Sequence, residues 1–289
     1  MRKCAMKRFM PVLVLACLGI WSFDVHSESN ADSSAIPHLD QKGRQGFEEF
    51  QTASPHRAFA IATGGAWAWV SGHASGEEAS AQAVADCAQY TTQKCLPYAI
   101  DEKIVLDVET WAASWGPYLR QSEAATAPEG VMTGNRFPDL VLTTPEGRPI
   151  KVSDLKGRVV FLHFWGSWCP PCQAEFPELQ KLYDAFAGSS EIAFVLVQTR
   201  EDIAKSRRWA RKKAISMPLY DSGTKGRKDT AFQLANGGDI EDRRLAPVFP
   251  STYVLDANGI VIFNHTGPAS GWPQYEPQLR HVMGSIGDG

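Results

Sequence analysis

Two parts of the 289-residue chain carry different patterns of apolar and polar residues, and each pattern predicts a folded domain. In residues 56–106, the stretches HRAFAIAT and AWAWVSG alternate around a Thr-Gly-Gly turn, which is typical of a β-hairpin. Ser75 and Glu78 form a capping box that opens an Ala-rich helix, and CLPYAIDEKIVL follows as a strand. This ββαβ order predicts a small α+β domain.

The second part, residues 135–289, has the unbroken apolar runs of strands that are covered on both faces. A buried strand at 159–165 is followed by a helix, a strand, a second helix, a hairpin and a closing helix. We expect these later elements at 170–187, 191–199, 201–214, 251–256 with 259–265, and 275–286. The order β-α-β-α-β-β-α predicts an α/β domain whose mixed sheet is flanked by helices.

Polar segments surround these domains. Residues 28–55 are rich in Ser, Asp, Glu and Gln, and we expect a flexible lead-in there. Residues 107–134 are expected to be a linker in which WAASWGPYL packs on one domain and EAATAPEG stays flexible. The Gly-rich segment 222–247 is expected to be an inserted loop with one helical turn near Thr230–Leu234.

The N-terminus has the pattern of a targeting segment. Four basic residues lie among the first eight, an apolar run follows to about Phe23, and small residues at Val25 and Ser27 suit cleavage. We therefore interpret residues 1–27 as a signal peptide, because the apolar run of about 15 residues is shorter than the roughly 20 of a spanning helix. An uncleaved anchor and lipidation at Cys17 are the alternatives. All three interpretations place the protein in the cell envelope or periplasm.

Charge and cysteine usage narrow the class of function. The formal net charge is −3 and no basic run follows the leader, so nothing indicates a nucleic-acid partner. Of six cysteines, the four beyond the leader form two closely spaced pairs. Cys87 falls late in the predicted helix and Cys95 at the start of the next strand, so we expect a structural disulfide that supports the small domain.

The other pair, Cys169 and Cys172 in WGSWCPPCQAEFP, lies where a buried strand meets a helix. Helix N-terminal amides stabilise an anion, so the pKa of the Cys169 thiol is expected to be low. Pro170 and Pro171 suit the first helical turn, and Cys172 comes one turn later. We expect Cys169 to attack a substrate disulfide and Cys172 to resolve the mixed disulfide, with no cofactor besides this redox-active pair.

Residues 135–285 resemble the thioredoxin-like fold and, within it, the TlpA/ResA-like envelope thiol–disulfide oxidoreductases. The resemblance is carried by the stretches GRVVFLHFWGSWCPPC and FPSTYVLDANGIVIFNHTG. The first domain loosely resembles a small secreted bacterial domain of unknown function, which implies no chemistry. The first domain and the 222–247 insertion depart from the TlpA/ResA pattern and leave the usual partners open.

The resemblance implies further roles. Glu175 would be a buried acid that accepts the proton of Cys172, and Pro177 would bend the helix. Pro250, preceded by Phe249, would be a cis-proline whose loop faces the cysteines and pairs with substrate. The implied substrates are disulfides of envelope proteins such as apocytochrome c, and the implied electron donor is a membrane thiol reductase.

Residues beside the motif have simpler interpretations. Trp168 is expected to pack beside the sulfurs and shape the docking surface, together with the two prolines between the cysteines. Trp165 is expected to fill the core. His163 is expected to be a core histidine with its hydrogen bonds satisfied.

Other functions stay open. A disulfide oxidase or isomerase would use the same cysteines, because Pro-Pro between them does not fix the direction of electron flow. A metal carrier using the cysteine pair and the distant His265 is a weaker alternative, and we expect no metal. A docking protein that uses the first domain is another. Peroxide reduction is disfavoured, because WCPPC lacks the Thr/Arg setting of a lone peroxidatic cysteine.

Overall fold

The computed structural model describes Ser33 and residues 36–285. The predicted signal peptide, with its alternatives of an anchor or lipidation at Cys17, lies outside the described residues. Within the described part of the chain, no helix has both the length and the apolar content needed to cross a bilayer.

The first domain is a four-stranded antiparallel sheet with a helix on each face. The strands are β1 (Ala58–Ala62), β2 (Trp67–Val70), β3 (Cys95–Ile100) and β4 (Lys103–Ile104), in the order β2-β1-β3-β4. Successive side chains of a strand point to opposite faces, so Phe59 and Ile61 lie on one face of β1 and the alanines on the other. The alanine face packs on helix α2 (Gly76–Cys87), whose N-cap is Ser75.

The other face is covered by helix α1 (Gln41–Thr52), which corrects the expected flexible lead-in at residues 41–52; residues 28–32, 34 and 35 lie outside the described residues. This helix is polar overall and buries only a few side chains, chiefly Phe47 and Phe50, against the aromatic face of the sheet. Gly46 lets the helix approach closely, because a Cβ there would lie 2.5 Å from the Trp67 ring. Asp40 caps the helix by accepting a hydrogen bond from Gly43 N–H.

The connector at 107–134 is also more ordered than the sequence indicates. It forms helices α3 (Val108–Ala112) and α4 (Gln121–Thr126), so EAATAPEG is partly helical rather than a flexible linker. Trp115 lies in the core of the second domain, stacks on Phe263, and donates a hydrogen bond to Thr63 of the first domain. Because a single side chain contacts both domains, the connector joins them into one packed unit.

The second domain contains a five-stranded mixed sheet. Its strands are β7 (Val159–Trp165), β8 (Ile192–Gln198), β9 (Leu219–Tyr220), β12 (Ser251–Leu255) and β13 (Val261–Thr266), in the order β13-β12-β7-β8-β9. β7, β8 and β9 are parallel, and β12 pairs antiparallel with both β7 and β13. Every residue of β7 and β8 is buried, as their unbroken apolar runs predict.

Helices and short hairpins complete the second domain. The helices are α5 (Pro170–Ala185), α6 (Ile203–Lys212), α7 (Asp242–Leu245) and α8 (Glu276–Gly284). A first hairpin pairs β5 (Val141–Thr143) with β6 (Pro149–Lys151). The 222–247 insertion holds a second hairpin, β10 (Ala231–Gln233) with β11 (Asp239–Glu241), instead of the helical turn expected at Thr230–Leu234. The architecture is the thioredoxin-like mixed sheet with helices that the sequence predicts.

Candidate active site

The two cysteines of WCPPC form a disulfide at the start of α5. Cys169 is the N-cap residue, and its Sγ accepts a hydrogen bond from Cys172 N–H at 3.3 Å. Pro170 and Pro171 occupy the first helical turn, where a missing N–H costs nothing, and both are exposed. Cys169 is 3% exposed and Cys172 is fully buried, so only the first sulfur faces the surface.

The loop before the cysteines is fixed from below by a buried acid. Glu201 accepts hydrogen bonds from the backbone N–H and the hydroxyl of Ser167, each at 2.6 Å, and another from Ser206. Trp168 donates its indole N–H to Thr199 O at 2.9 Å. A Cβ at Gly166 would lie 2.2 Å from that indole nitrogen, so the glycine permits the ring position. Trp168 is thereby held half-buried beside Cys169.

The second wall of the site is the loop that carries Phe249 and Pro250, which are joined by a cis peptide bond. The carbonyl oxygen of Phe249 lies 3.7 Å from Cys169 Sγ. The Phe249 ring contacts Trp168 edge-on at 5.4 Å between centroids. Val248, which precedes Phe249 in the same loop, is 49% exposed. An apolar rim therefore surrounds the reachable sulfur.

Two arginines stack on the Phe249 ring from the outer side. Arg200 lies 5.5 Å and Arg243 5.1 Å from its centroid. Arg200 also pairs with the buried Asp242 through two hydrogen bonds of 2.5 and 2.8 Å. Asp242 and Arg243 belong to the 222–247 insertion, so the insertion forms part of the wall of the site.

Glu175 lies one helical turn beyond Cys172 and is 5% exposed. Its Oε2 accepts hydrogen bonds from Ala269 N–H and the indole N–H of Trp272, both at 3.1 Å. Burial raises the pKa of Glu175 to about 8, although those two hydrogen bonds oppose the rise. Glu175 is thus a buried acid that changes its protonation state near neutral pH.

His163 lies in the core, as the sequence predicts. It is completely buried in β7, and its Nδ1 lies 2.9 Å from Thr252 Oγ1. Its Nε2, however, faces Glu175 Oε1 at 3.3 Å and has no other hydrogen-bond partner among the described residues. His163 is thus a core histidine, but one of its two nitrogens faces a buried acid, a contact that the sequence does not indicate.

The remaining predicted residues lie away from the sulfurs or in the core. Trp165 is fully buried and packs on Phe176. His265 lies on β13, where its Nε2 is 3.4 Å from Pro268 O, and the described residues contain no cluster of three or more metal-ligating side chains. Cys87 and Cys95 form a separate disulfide in the alanine layer of the first domain.

Sequence reasoning missed the residues that orient the site. Glu201 begins a charged segment and resembles a solvent-exposed helix residue, yet it is buried under the cysteine loop. Arg200 and Asp242 are 42 residues apart, and no local pattern links them. The only sequence signal was the insertion itself, which departs from the family pattern.

The fold and this site define a thioredoxin-like thiol–disulfide oxidoreductase. Residues 132–280, more than half of the chain, match the model of the Redoxin family. The chain belongs to the Redoxin family.

Curated proteins and solved structures are similar to the second domain. The Thiol-disulfide oxidoreductase ResA of Bacillus subtilis (strain 168) is 30% identical over 139 residues, which are 48% of this chain and 70% of that protein. The ResA protein of Geobacillus kaustophilus (strain HTA426) is 29% identical over 47% of this chain and 70% of its own. Among solved structures, StoA from Bacillus subtilis aligns with 23% identity and a TM-score of 0.38, covering 50% of this chain and 98% of StoA.

Proposed function

We propose that this oxidoreductase is exported and reduces disulfides of envelope proteins, such as apocytochrome c. The single observation that carries the proposed chemistry is the setting of Cys169. Its sulfur caps α5, accepts the Cys172 amide, and lies 3.7 Å from the Phe249 carbonyl in the cis-proline loop. A nucleophile at a helix N-terminus beside an open backbone edge suits attack on a disulfide in an extended polypeptide.

The reaction proceeds by two exchanges. The Cys169 thiolate attacks one sulfur of the substrate disulfide, forms a mixed disulfide, and releases the other substrate sulfur as a thiolate. Cys172 then loses its proton to Glu175 and attacks Cys169, so the Cys169–substrate bond breaks and the Cys169–Cys172 bond forms. The substrate gains two electrons, and the enzyme becomes the disulfide.

Substrate binding is assigned to the apolar rim. Trp168, Pro170, Pro171 and the Phe249–Pro250 loop lie around Cys169 and form an apolar surface that suits contact with a polypeptide segment. A membrane thiol reductase would return the enzyme to the dithiol state, because an oxidising compartment does not supply electrons. Neither step uses a cofactor besides the cysteine pair.

Two measurements test this proposal. The reduction potential of Cys169–Cys172 should lie near or below about −250 mV for a reductant, whereas a value near −120 mV would make the protein an oxidant and overturn the proposed direction. A Cys172→Ser variant leaves Cys169 free to form the mixed disulfide but not to resolve it. In envelope extracts it should accumulate disulfide-linked adducts, and Cys169→Ser with Cys172 intact should not.

A further inference from the structure

Two buried polar atoms face each other below the active-site disulfide. His163 Nε2 and Glu175 Oε1 lie 3.3 Å apart, with side chains that are 0% and 2% exposed. Within the described part of the chain, neither atom has another hydrogen-bond partner. The second oxygen of Glu175 is already occupied by Ala269 N–H and Trp272. His163 is therefore the group able to satisfy Oε1.

His163 also contacts a threonine on the adjacent strand β12. Thr252 and His163 are directly paired on β12 and β7, and His163 Nδ1 lies 2.9 Å from the Thr252 hydroxyl. Thr252 is 1% exposed. The three side chains form a buried row, Thr252–His163–Glu175, that runs from the strand after the cis-proline to the helix that carries the cysteines.

This row has two fully hydrogen-bonded arrangements. A neutral imidazole donates from one nitrogen and accepts at the other, and a hydroxyl can do either. When Glu175 is protonated, Oε1–H donates to Nε2 and Nδ1–H donates to Thr252. When Glu175 is ionised, Nε2–H donates to Oε1 and the Thr252 hydroxyl donates to Nδ1. Any other combination leaves a buried polar atom unpaired, which is costly.

We propose that His163 is a positioning residue for Glu175 and changes tautomer when Glu175 gains or loses its proton. The inference rests on the proposed role of Glu175 as the base for Cys172. The proton count balances: the carboxyl gains the one proton that Cys172 loses. The imidazole carries one proton before and after, on Nε2 beside the carboxylate and on Nδ1 beside the acid.

The surrounding charges leave His163 neutral over the range in which Glu175 titrates. Burial, and to a lesser degree His265 on β13, lower the pKa of His163 to about 3. Burial raises the pKa of Glu175 and the carboxylate of Glu178 adds to the rise, whereas hydrogen bonds donated by Trp272 and Ala269 oppose it. The pKa of the nearby Tyr275 is raised chiefly by burial and to a lesser degree by Glu175. Cys172 lies one turn before Glu175 in α5. A neutral imidazole is thus available in both states of the acid.

The direct test is NMR of the full chain in its disulfide form. With 15N-labelled histidine and 13C-labelled glutamate, the ring nitrogens of His163 should exchange donor and acceptor character at the same pH at which the Glu175 carboxyl titrates. In Glu175→Gln the tautomer should stay fixed over that range. A single His163 tautomer in the wild type, while the Glu175 carboxyl titrates, would overturn the proposal.

Variants separate hydrogen bonding from packing. His163→Leu removes both ring nitrogens, so the carboxylate loses its donor and the titration of Glu175 should move up by at least one pH unit. Resolution of the mixed disulfide at pH 7 should then slow about tenfold, whereas alkylation of Cys169 should change less than twofold. His163→Gln keeps an amide that can donate or accept and should recover most of both effects. An unmoved Glu175 titration in His163→Leu would contradict the proposal.

Thr252→Val provides a second route if His163→Leu folds poorly. It leaves Nδ1 unpaired in both states, as an acceptor when Glu175 is ionised and as an N–H donor when Glu175 is protonated. The 15N shift of Nδ1 should therefore change on both sides of the Glu175 titration, whereas Thr252→Ser, which keeps the hydroxyl, should leave it unchanged. An equal change in both threonine variants would overturn the row. If Glu175→Gln leaves the resolution rate unchanged, the base role is wrong, while the NMR titration still decides the His163–Glu175 contact.

Discussion

The two disulfides among the described residues lie at opposite ends of helices. Cys169 is the N-cap of α5, where the free backbone N–H groups and the positive end of the helix dipole favour a thiolate. Cys87 is the last residue of α2, where free carbonyl groups disfavour one, and its sulfur lies 3.9 Å from Ala66 O. We therefore expect the Cys169 sulfur to be reactive and the Cys87 sulfur to be unreactive, although each forms a disulfide within its own domain.

Neither loop length nor burial explains this difference. The sequence separations are 3 and 8 residues, and the corresponding loop-closure terms differ by less than about 1 kcal/mol. Cys87 and Cys95 are 0% and 7% exposed, and Cys169 and Cys172 are 3% and 0% exposed. The expected difference in reactivity comes from the helix ends and from the neighbouring groups. Alanines surround the first pair, whereas Trp168, the Phe249 carbonyl and Glu175 surround the second.

The largest expected effect is on activity, which should depend on Cys169–Cys172 and not on Cys87–Cys95. Cys169→Ser removes the nucleophile and should reduce disulfide-reductase turnover by on the order of 10³-fold or more. The double variant Cys87→Ala/Cys95→Ala should retain turnover within about twofold at 25 °C. Reduction of a model protein disulfide, followed under identical conditions for both, makes the comparison. Comparable losses in the two variants would mean that the first-domain pair also exchanges electrons.

Removal of the Cys87–Cys95 disulfide should affect the stability of the protein although it has little effect on activity. Removing the Cys87–Cys95 bond frees a loop that ties α2 to β3, and the free energy of unfolding should fall by about 2–3 kcal/mol. Urea denaturation of the oxidised protein measures this. As the control, the reductant concentration that opens only Cys169–Cys172 should leave the fluorescence of the first-domain tryptophans unchanged. A drop below about 0.5 kcal/mol would show that α1 and α2 hold the sheet without the bond.

The acid beside the active pair gives the site a pH dependence that the first-domain pair lacks. Its raised pKa, about 8 against about 4.5 unfolded, means that the native state holds the proton where the unfolded chain has lost it. Stability from Glu175 is therefore fully present below the unfolded value and is lost as pH rises through 8. Between pH 6.5 and 8.5 the contribution of Glu175 to stability should fall by about 2 kcal/mol. Burial lowers the pKa of His38, His163 and His265, so these histidines favour the native state more as pH rises above 6.5 and partly oppose this loss.

Glu175→Gln should abolish that slope. Glu178→Gln, three residues further along α5, is the matched control, and its amide oxygen can still accept from Gly271 N–H. It should preserve the slope with a slightly lower midpoint, because the Glu178 carboxylate adds to the rise in the pKa of Glu175. Denaturation curves at half-unit pH intervals give the comparison. If the slope survives in Glu175→Gln, the carboxyl is not the group that titrates.

Sequence alone predicts the elements whose signal is local. The apolar run of β7 and the prolines at the first turn of α5 place the cysteines correctly, and Ser75 marks the start of α2. The helix α1 is not predicted because its sequence is polar and because it is held by tertiary packing, in which Trp67 of β2 lies against Gly46. The β10–β11 hairpin was missed because strands of three residues leave almost no periodicity.

Contacts within the site were the least predictable. The apposition of His163 and Glu175 depends on how α5 lies across β7, and the pairing of His163 with Thr252 depends on the register of β12. Glu201 looks like a surface residue until the fold places it under Ser167. Such contacts follow from tertiary structure, so a residue's type and its neighbours in sequence do not reveal them.

The smallest expected effect is the most direct test of the helix-end comparison. Cys172→Ser leaves Cys169 as a free thiol at the start of α5, and Cys95→Ser leaves Cys87 as a free thiol at the end of α2. Alkylation rates depend on access as well as ionisation, so the midpoint of the pH profile is the quantity to compare. For Cys169 it should lie at least one pH unit below the ordinary value of about 8.5, and for Cys87 at or above it. Equal midpoints would mean that the helix ends do not set the reactivity, and that the Trp168 and Phe249 walls must account for it through substrate binding alone.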